Sequence, residues 1–213
     1  MLTFMPDTPV LIAYLLAVVA LTLTPGPDMT LFIGKAISQS RLAGAAAFFG
    51  ASTGLVMHTV LVAIGLSALL AASVTAFTLL KIVGSAYLVY LAVQAIRHGS
   101  ALSVGPRGSV DPIGRVFLKG LAVNLLNPKI IVFFVTFLPQ FVSPGDPHAS
   151  GKLMSLGLMF VVVATPISLA MIWFAGSISS GLKRSPRAGR AIDYLFAGVM
   201  GAFAVRLILA HGR

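Results

Sequence analysis

Asp28 and Lys129 are the residues whose type and setting in this chain could do chemistry. Asp28 closes the stretch Thr24-Pro25-Gly26-Pro27-Asp28, in which two prolines and a glycine break a helix. Lys129 follows Asn124, Asn127 and Pro128 in a second interruption. Both lie beside long apolar runs, where a charge is costly unless it pairs, faces water or meets a ligand. A carboxylate at Asp28 can hold an ammonium group or take up a proton; in the first turn after Pro27 it also complements the helix dipole. An ammonium at Lys129 can attract a carboxylate, neutralise Asp28 across the two breaks, or snorkel to a polar face.

The residues around this pair extend the same chemistry. Asn124 and Asn127 stand three apart, so they share a face if the helix persists to Asn127, either lining a cavity or bonding a neighbouring helix. Free N–H groups at half-helix N-termini favour an anion, which places carboxylate recognition at the Asn127 to Lys129 end and ammonium recognition at Asp28. His58 lies mid-run, four residues after Gly54, where an imidazole with a reference pKa near 6.5 either relays protons or is satisfied by a neighbour.

These residues must be positioned by helices in a bilayer. Of 213 residues, 58% are hydrophobic and 9% charged, which no ordinary soluble domain matches. A helix rising about 1.5 Å per residue needs roughly 20 apolar residues to cross the hydrocarbon core. Residues 9–24 make a first run, broken at Pro25, Gly26 and Pro27 and continued as a short tilted or interfacial helix over 29–38. Further runs cover 42–70, 75–96, 113–142 (broken at Pro128), 153–178 with Pro166 inside, and 191–210. Backbone released from a helix within a bilayer is tolerated where protein or a water-filled cavity satisfies it, so the breaks imply a cavity.

Small residues organise the packing. Gly44, Gly50 and Gly54 line one face of the second run and Gly84 lies in the third; such positions let helices approach closely, within a protomer or between protomers of a homo-oligomer. Tyr87, Tyr90 and Trp173 fit interfacial or packing aromatics.

The net charge of +10 comes from short basic clusters between apolar runs, with no basic domain for a nucleic acid. Lys35 and Arg41, then Arg97, Arg107 and Arg115, then Lys183, Arg184, Arg187 and Arg190 mark alternate loops. The positive-inside rule makes those loops cytoplasmic and both termini external. Three runs followed by three therefore set two halves, residues 8–97 and 113–210, in opposite orientation around a linker at 98–112, within one transmembrane domain spanning 1–213. The expected fold is all-α: six transmembrane helices as two inverted three-helix repeats whose first and fourth helices are broken. Proteins built in this way place ligand sites where the discontinuous helices meet.

With this layout in view, several segments resemble the LysE/RhtB family of amino-acid exporters. The resemblance is carried by Thr24-Pro25-Gly26-Pro27, the small-residue stretch from Gly44 to Gly54 with His58, and Gly84-Ser85-Ala86-Tyr87-Leu88-Val89-Tyr90-Leu91. Lys119-Gly120, Asn124-Leu125-Leu126-Asn127-Pro128-Lys129 and Phe137-Leu138-Pro139-Gln140-Phe141 complete it. It covers nearly the whole chain, and the two proline motifs in this order are specific together. It implies efflux of amino acids or close derivatives across the bacterial inner membrane, driven by the proton motive force, with lipid as the surrounding partner and no cofactor. A passive channel and an intramembrane enzyme are the rivals. The enzyme lacks support, since the chain has no HExxH, no GxSxG and no cysteine. No metal site is expected either.

Overall fold

The computed structural model describes residues 8–66, 74–98, 110–142, 146–177, 180 and 185–209, and among these there is no strand. Helix α1 runs Thr8–Leu23 without a charged residue and stops where Pro25 and Pro27 can no longer donate to the preceding turn. Helix α2, Pro27–Ser38, restarts the chain with proline at its first position, after Gly26 in extended geometry. The pair is bent by 51°. Ser40 then caps α3, Arg41–Leu61, by accepting from the Ala43 N–H at 3.1 Å. A π-helical turn, Val62–Leu66, extends it.

Helix α4 covers Val74–His98, and residues 67–73, which include the end of the run expected over 42–70, lie outside the described residues. So do residues 99–109 of the expected linker, together with Lys183 and Arg184. The second broken helix comprises α5, Ile113–Leu125, and α6, Pro128–Val132. It continues through a π turn at Phe133–Phe137 and a 3₁₀ turn at Leu138–Phe141, where Pro139 sits. This pair is bent by 50°. Helices α7, Ala149–Trp173, and α8, Pro186–Leu209, complete the order.

Length and apolarity let α3 with its π turn, and α7, cross a membrane, and each bent pair passes the same test jointly. That gives two to four candidate spans, all helical. Several threonine hydroxyls in or beside these helices are satisfied locally: Thr22, Thr24, Thr59, Thr136 and Thr165 each donate to the carbonyl four residues back.

Between apolar helices in lipid, association rests on close packing. The seam of α3 with α5 meets that demand through glycine. A Cβ at Gly50 would lie 2.0 Å from the Phe117 carbonyl oxygen, and one at Gly120 would lie 2.0 Å from that of Ala47. A Cβ at Gly54 would meet Asn124 Oδ1 at 2.5 Å, and one at Gly44 would meet the Ala36 side chain of α2 at 2.7 Å. The packing of Gly84 lies outside the described side chains. Tyr87 and Tyr90 stack on one another at 5.7 Å, and exposed Trp173 receives Arg41 over its ring at 4.3 Å.

A polar clamp joins the end of α2 to the segment preceding α5. Lys35 Nζ binds Asp111 Oδ2 at 2.6 Å, while Gln39 donates to the Asp111 carbonyl at 2.8 Å and accepts its N–H at 3.2 Å. The hydrogen bond from Lys35 holds the Asp111 carboxyl below its usual range. For a lowered folded-state pKa, the stabilisation is fully present above the unfolded value, about 3.9, and is lost as pH falls through the folded value. Because the chain has no cysteine of its own, spin labels on single cysteines introduced at Ser38 and Val110 report this junction cleanly. Their separation is expected to stay constant from pH 8 to 5 and to lengthen only below about pH 4; lengthening near neutral pH would exclude the clamp as its determinant.

Candidate functional site

The two helix breaks meet. Proline supplies no N–H at positions 25, 27 and 128, so the turns on either side must find other partners. At the second break, Asn127 caps α6: its Oδ1 accepts from the Lys129 N–H at 3.0 Å, and its own carbonyl receives the N–H groups of Ile130 and Ile131 at 3.0 Å each. The free donors expected at this end for a carboxylate are therefore consumed within the turn.

Asp28, in the first turn of α2, lies across from that cap. Its Oδ2 accepts from Asn124 Nδ2 at 2.8 Å and from Asn127 Nδ2 at 3.0 Å. The two asparagines converge on one oxygen although α5 ends at Leu125 and no common helical face links them. The kink at Leu126 and Asn127, not the spacing of three, brings them together. Asp28 Oδ1 makes no hydrogen bond within the protein, and neither do Asn124 Oδ1, His58 Nε2 and Ser52 Oγ.

Lys129 takes a different position from the direct pairing with Asp28 considered on sequence grounds. Its ammonium donates to the carbonyls of Thr24, at 3.1 Å, and Leu21, at 3.4 Å, at the broken end of α1. Asp28 remains within electrostatic reach but outside ion-pair contact. Gly26 makes room, since a Cβ there would lie 2.9 Å from Nζ.

His58 is buried on α3, with Phe134 stacked at 5.8 Å; it lies against the Asn124 backbone and within electrostatic reach of Asp28. It belongs to the same cluster, one helical turn beyond the Gly54 contact with Asn124.

Asp28, Asn124 and Lys129 border a cavity with about 440 Å³ of empty space, part of it open to the exterior, whereas Asn127 and His58 do not line it. Asp28, Lys129, Asn124, Thr22, Thr24 and Ser168 form its polar wall, and Met29, Phe32, Phe48, Leu55 and Phe160 much of its apolar wall. Residues 19–211 of the chain match a family described as LysE type translocator, and both breaks and the residues that line the cavity fall within that match. The chain belongs to that family.

Relatives of this LysE-type chain cover most of its length. It is 33% identical over 201 residues to a homoserine/homoserine lactone efflux protein of Salmonella typhi, covering 94% of this chain and 96% of the relative. A leucine efflux protein of Salmonella choleraesuis is 27% identical, with 91% and 92% covered. An uncharacterized membrane protein of Vibrio cholerae is 33% identical, with 91% and 93% covered. No solved structure matches the chain.

Sequence reasoning missed the contribution of α7. Phe160, Ala164 and Ser168 line the cavity at intervals of four, one helical face of the run that contains Pro166. Pro166 was the available signal: a proline in mid-span marks helix backbone that a neighbour or cavity must accommodate.

Proposed function

We propose that this chain exports neutral amino acids or close derivatives across the bacterial inner membrane, by alternating access and in exchange for protons. The observation that carries this reading is the convergence of one carboxylate, Asp28, and one ammonium, Lys129, on a single apolar-walled cavity where two broken helices cross. Asp28 Oδ1 receives the substrate ammonium, and Lys129, with one proton beyond its two carbonyl contacts, faces the substrate carboxylate. Asp28 and Lys129 are the ionisable residues of the lining, so a second substrate ammonium would enter without a counter-charge. Neutral substrates fit the names of the homoserine and leucine efflux relatives.

The cavity's position supports alternating access. Met29, Phe32 and Phe48 belong to one apolar cluster, while Leu21, Leu55, Ile130, Phe160 and Ala164 belong to another. A ligand between two separate plugs can be released to either side by parting one of them. In the same scheme six spans form two inverted halves with both termini outside. The packing supports that symmetry, because like meets like across the halves: α3 packs on α7, and α4 on α8. The reciprocal pairs α3 with α5 and α7 with α1 also pack. Coupling by proton uses Asp28, with His58 as the relay behind Asn124.

The test is flux in proteoliposomes of the purified protein. An imposed proton gradient is expected to drive saturable movement of homoserine or leucine and to leave lysine at background. Absence of gradient-dependent flux across a panel of amino acids would reject an exporter, and rates far above carrier turnover would replace it with a channel.

A further inference from the structure

The broken end of α1 has carbonyls that its own helix cannot serve. In a continuous helix the carbonyl of Leu21 would receive the N–H of residue 25 and that of Leu23 the N–H of residue 27; both positions are proline. Carbonyl oxygens at a half-helix C-terminus carry the negative end of the helix dipole, and within a membrane they are the ligands a small monovalent cation takes. In this chain the carbonyls of Leu21 and Thr24 receive the Lys129 ammonium, at 3.4 and 3.1 Å.

Nothing on α6 itself favours the charge of Lys129. The residue sits at the start of that half-helix, the end where the dipole opposes a cation. The favourable field comes from across the break, from the α1 carbonyls and from Asp28. Gly26 opens the path, since a side chain there would collide with Nζ at 2.9 Å and Cε at 3.2 Å. A covalently attached ammonium thus stands where a free cation would bind.

We propose that the Lys129 ammonium is a tethered cation filling a monovalent metal-ion position at the end of α1, so that the chain neither binds nor requires Na⁺. Removing the side chain uncovers that position, framed by the Leu21 and Thr24 carbonyls and faced by the Asp28 carboxylate. The flux arm of the test rests on the export reading; the binding arm does not.

For the binding arm, thermal unfolding of the purified full chain in detergent is followed in NaCl and in choline chloride of equal concentration. Wild type is expected to show the same midpoint in both. Lys129→Ala is expected to unfold at a lower midpoint that Na⁺ alone raises, by about 2 °C or more at saturation. Stabilisation of wild type by Na⁺, or identical midpoints for Lys129→Ala in the two salts, would overturn the proposal. Should Lys129→Ala fail to fold, equilibrium binding of ²²Na⁺ to wild type decides: none is expected, and saturable binding overturns it. In the flux arm, replacing Na⁺ by choline is expected to leave wild-type export unchanged, and a twofold or greater dependence on Na⁺ overturns the proposal. A chain that moves no amino acid would end the export reading while leaving the binding result to stand.

Discussion

Asp28→Asn is expected to insert and fold normally and to export at background, a fall of at least about 100-fold. Hydrogen bonds to a charged group are worth about 1.5–3 kcal/mol each, and about 1.4 kcal/mol is a factor of ten in binding. The carboxylate accepts from both Asn124 and Asn127. An asparagine keeps its size and one oxygen for these donors, which is why the fold survives. What it loses is the negative charge, and with it the proposed counter-charge for a substrate ammonium and the proposed site of proton uptake. An NH₂ also replaces one oxygen, so the rim of the cavity gains a donor where it had offered an acceptor. Proteoliposome flux, measured beside the fraction of protein extracted folded from membranes, separates the two effects. Normal flux in Asp28→Asn would remove this residue from the mechanism.

The second large effect is structural. Gly50→Ala and Gly120→Ala each place a methyl group 2.0 Å from a backbone carbonyl oxygen on the facing helix, a distance that only movement of a whole helix can relieve. Overpacking of this kind costs about 1–3 kcal/mol and more where backbone must shift. An alanine in a helix otherwise gains up to about 1 kcal/mol over glycine, so the sign depends on the neighbour. Gly34→Ala supplies the control: nothing lies within 4 Å of its Cβ, and it is expected to match or exceed wild-type stability. Thermal unfolding in detergent reads all three. Gly50→Ala as stable as Gly34→Ala would mean that α3 and α5 are not held at backbone contact. Because Asn124 lies one turn beyond Gly120 and faces Gly54, parting this seam also disturbs the asparagine that holds Asp28.

The broken helices were legible because proline acts locally and covalently: Pro25, Pro27 and Pro128 remove donors wherever they stand. The glycine contacts of α3 with α2 and α5 were legible as a small-residue face, though their partners were not. Two readings changed. The anion-binding donors expected after Asn127 are taken by its own side chain and carbonyl, a local competition that short polar residues before a helix regularly win. The convergence of Asn124 and Asn127 arises from a kink where an unbroken helix would be needed for their spacing to matter.

By itself the sequence determined that this is an all-helical membrane chain, that it breaks twice, and that Asp28 and Lys129 stand at those breaks. All of these follow from bond chemistry and the cost of charge in lipid, which act over one or two turns. Only the tertiary structure decided which groups meet. It put Asp28 on two asparagines about a hundred positions away, Lys129 on the Leu21 and Thr24 carbonyls at the end of α1, and the Phe160 to Ser168 face of α7 across the cavity. Such pairings depend on how helices bend by 51° and 50° and how closely glycine lets them approach, and no residue spacing encodes either.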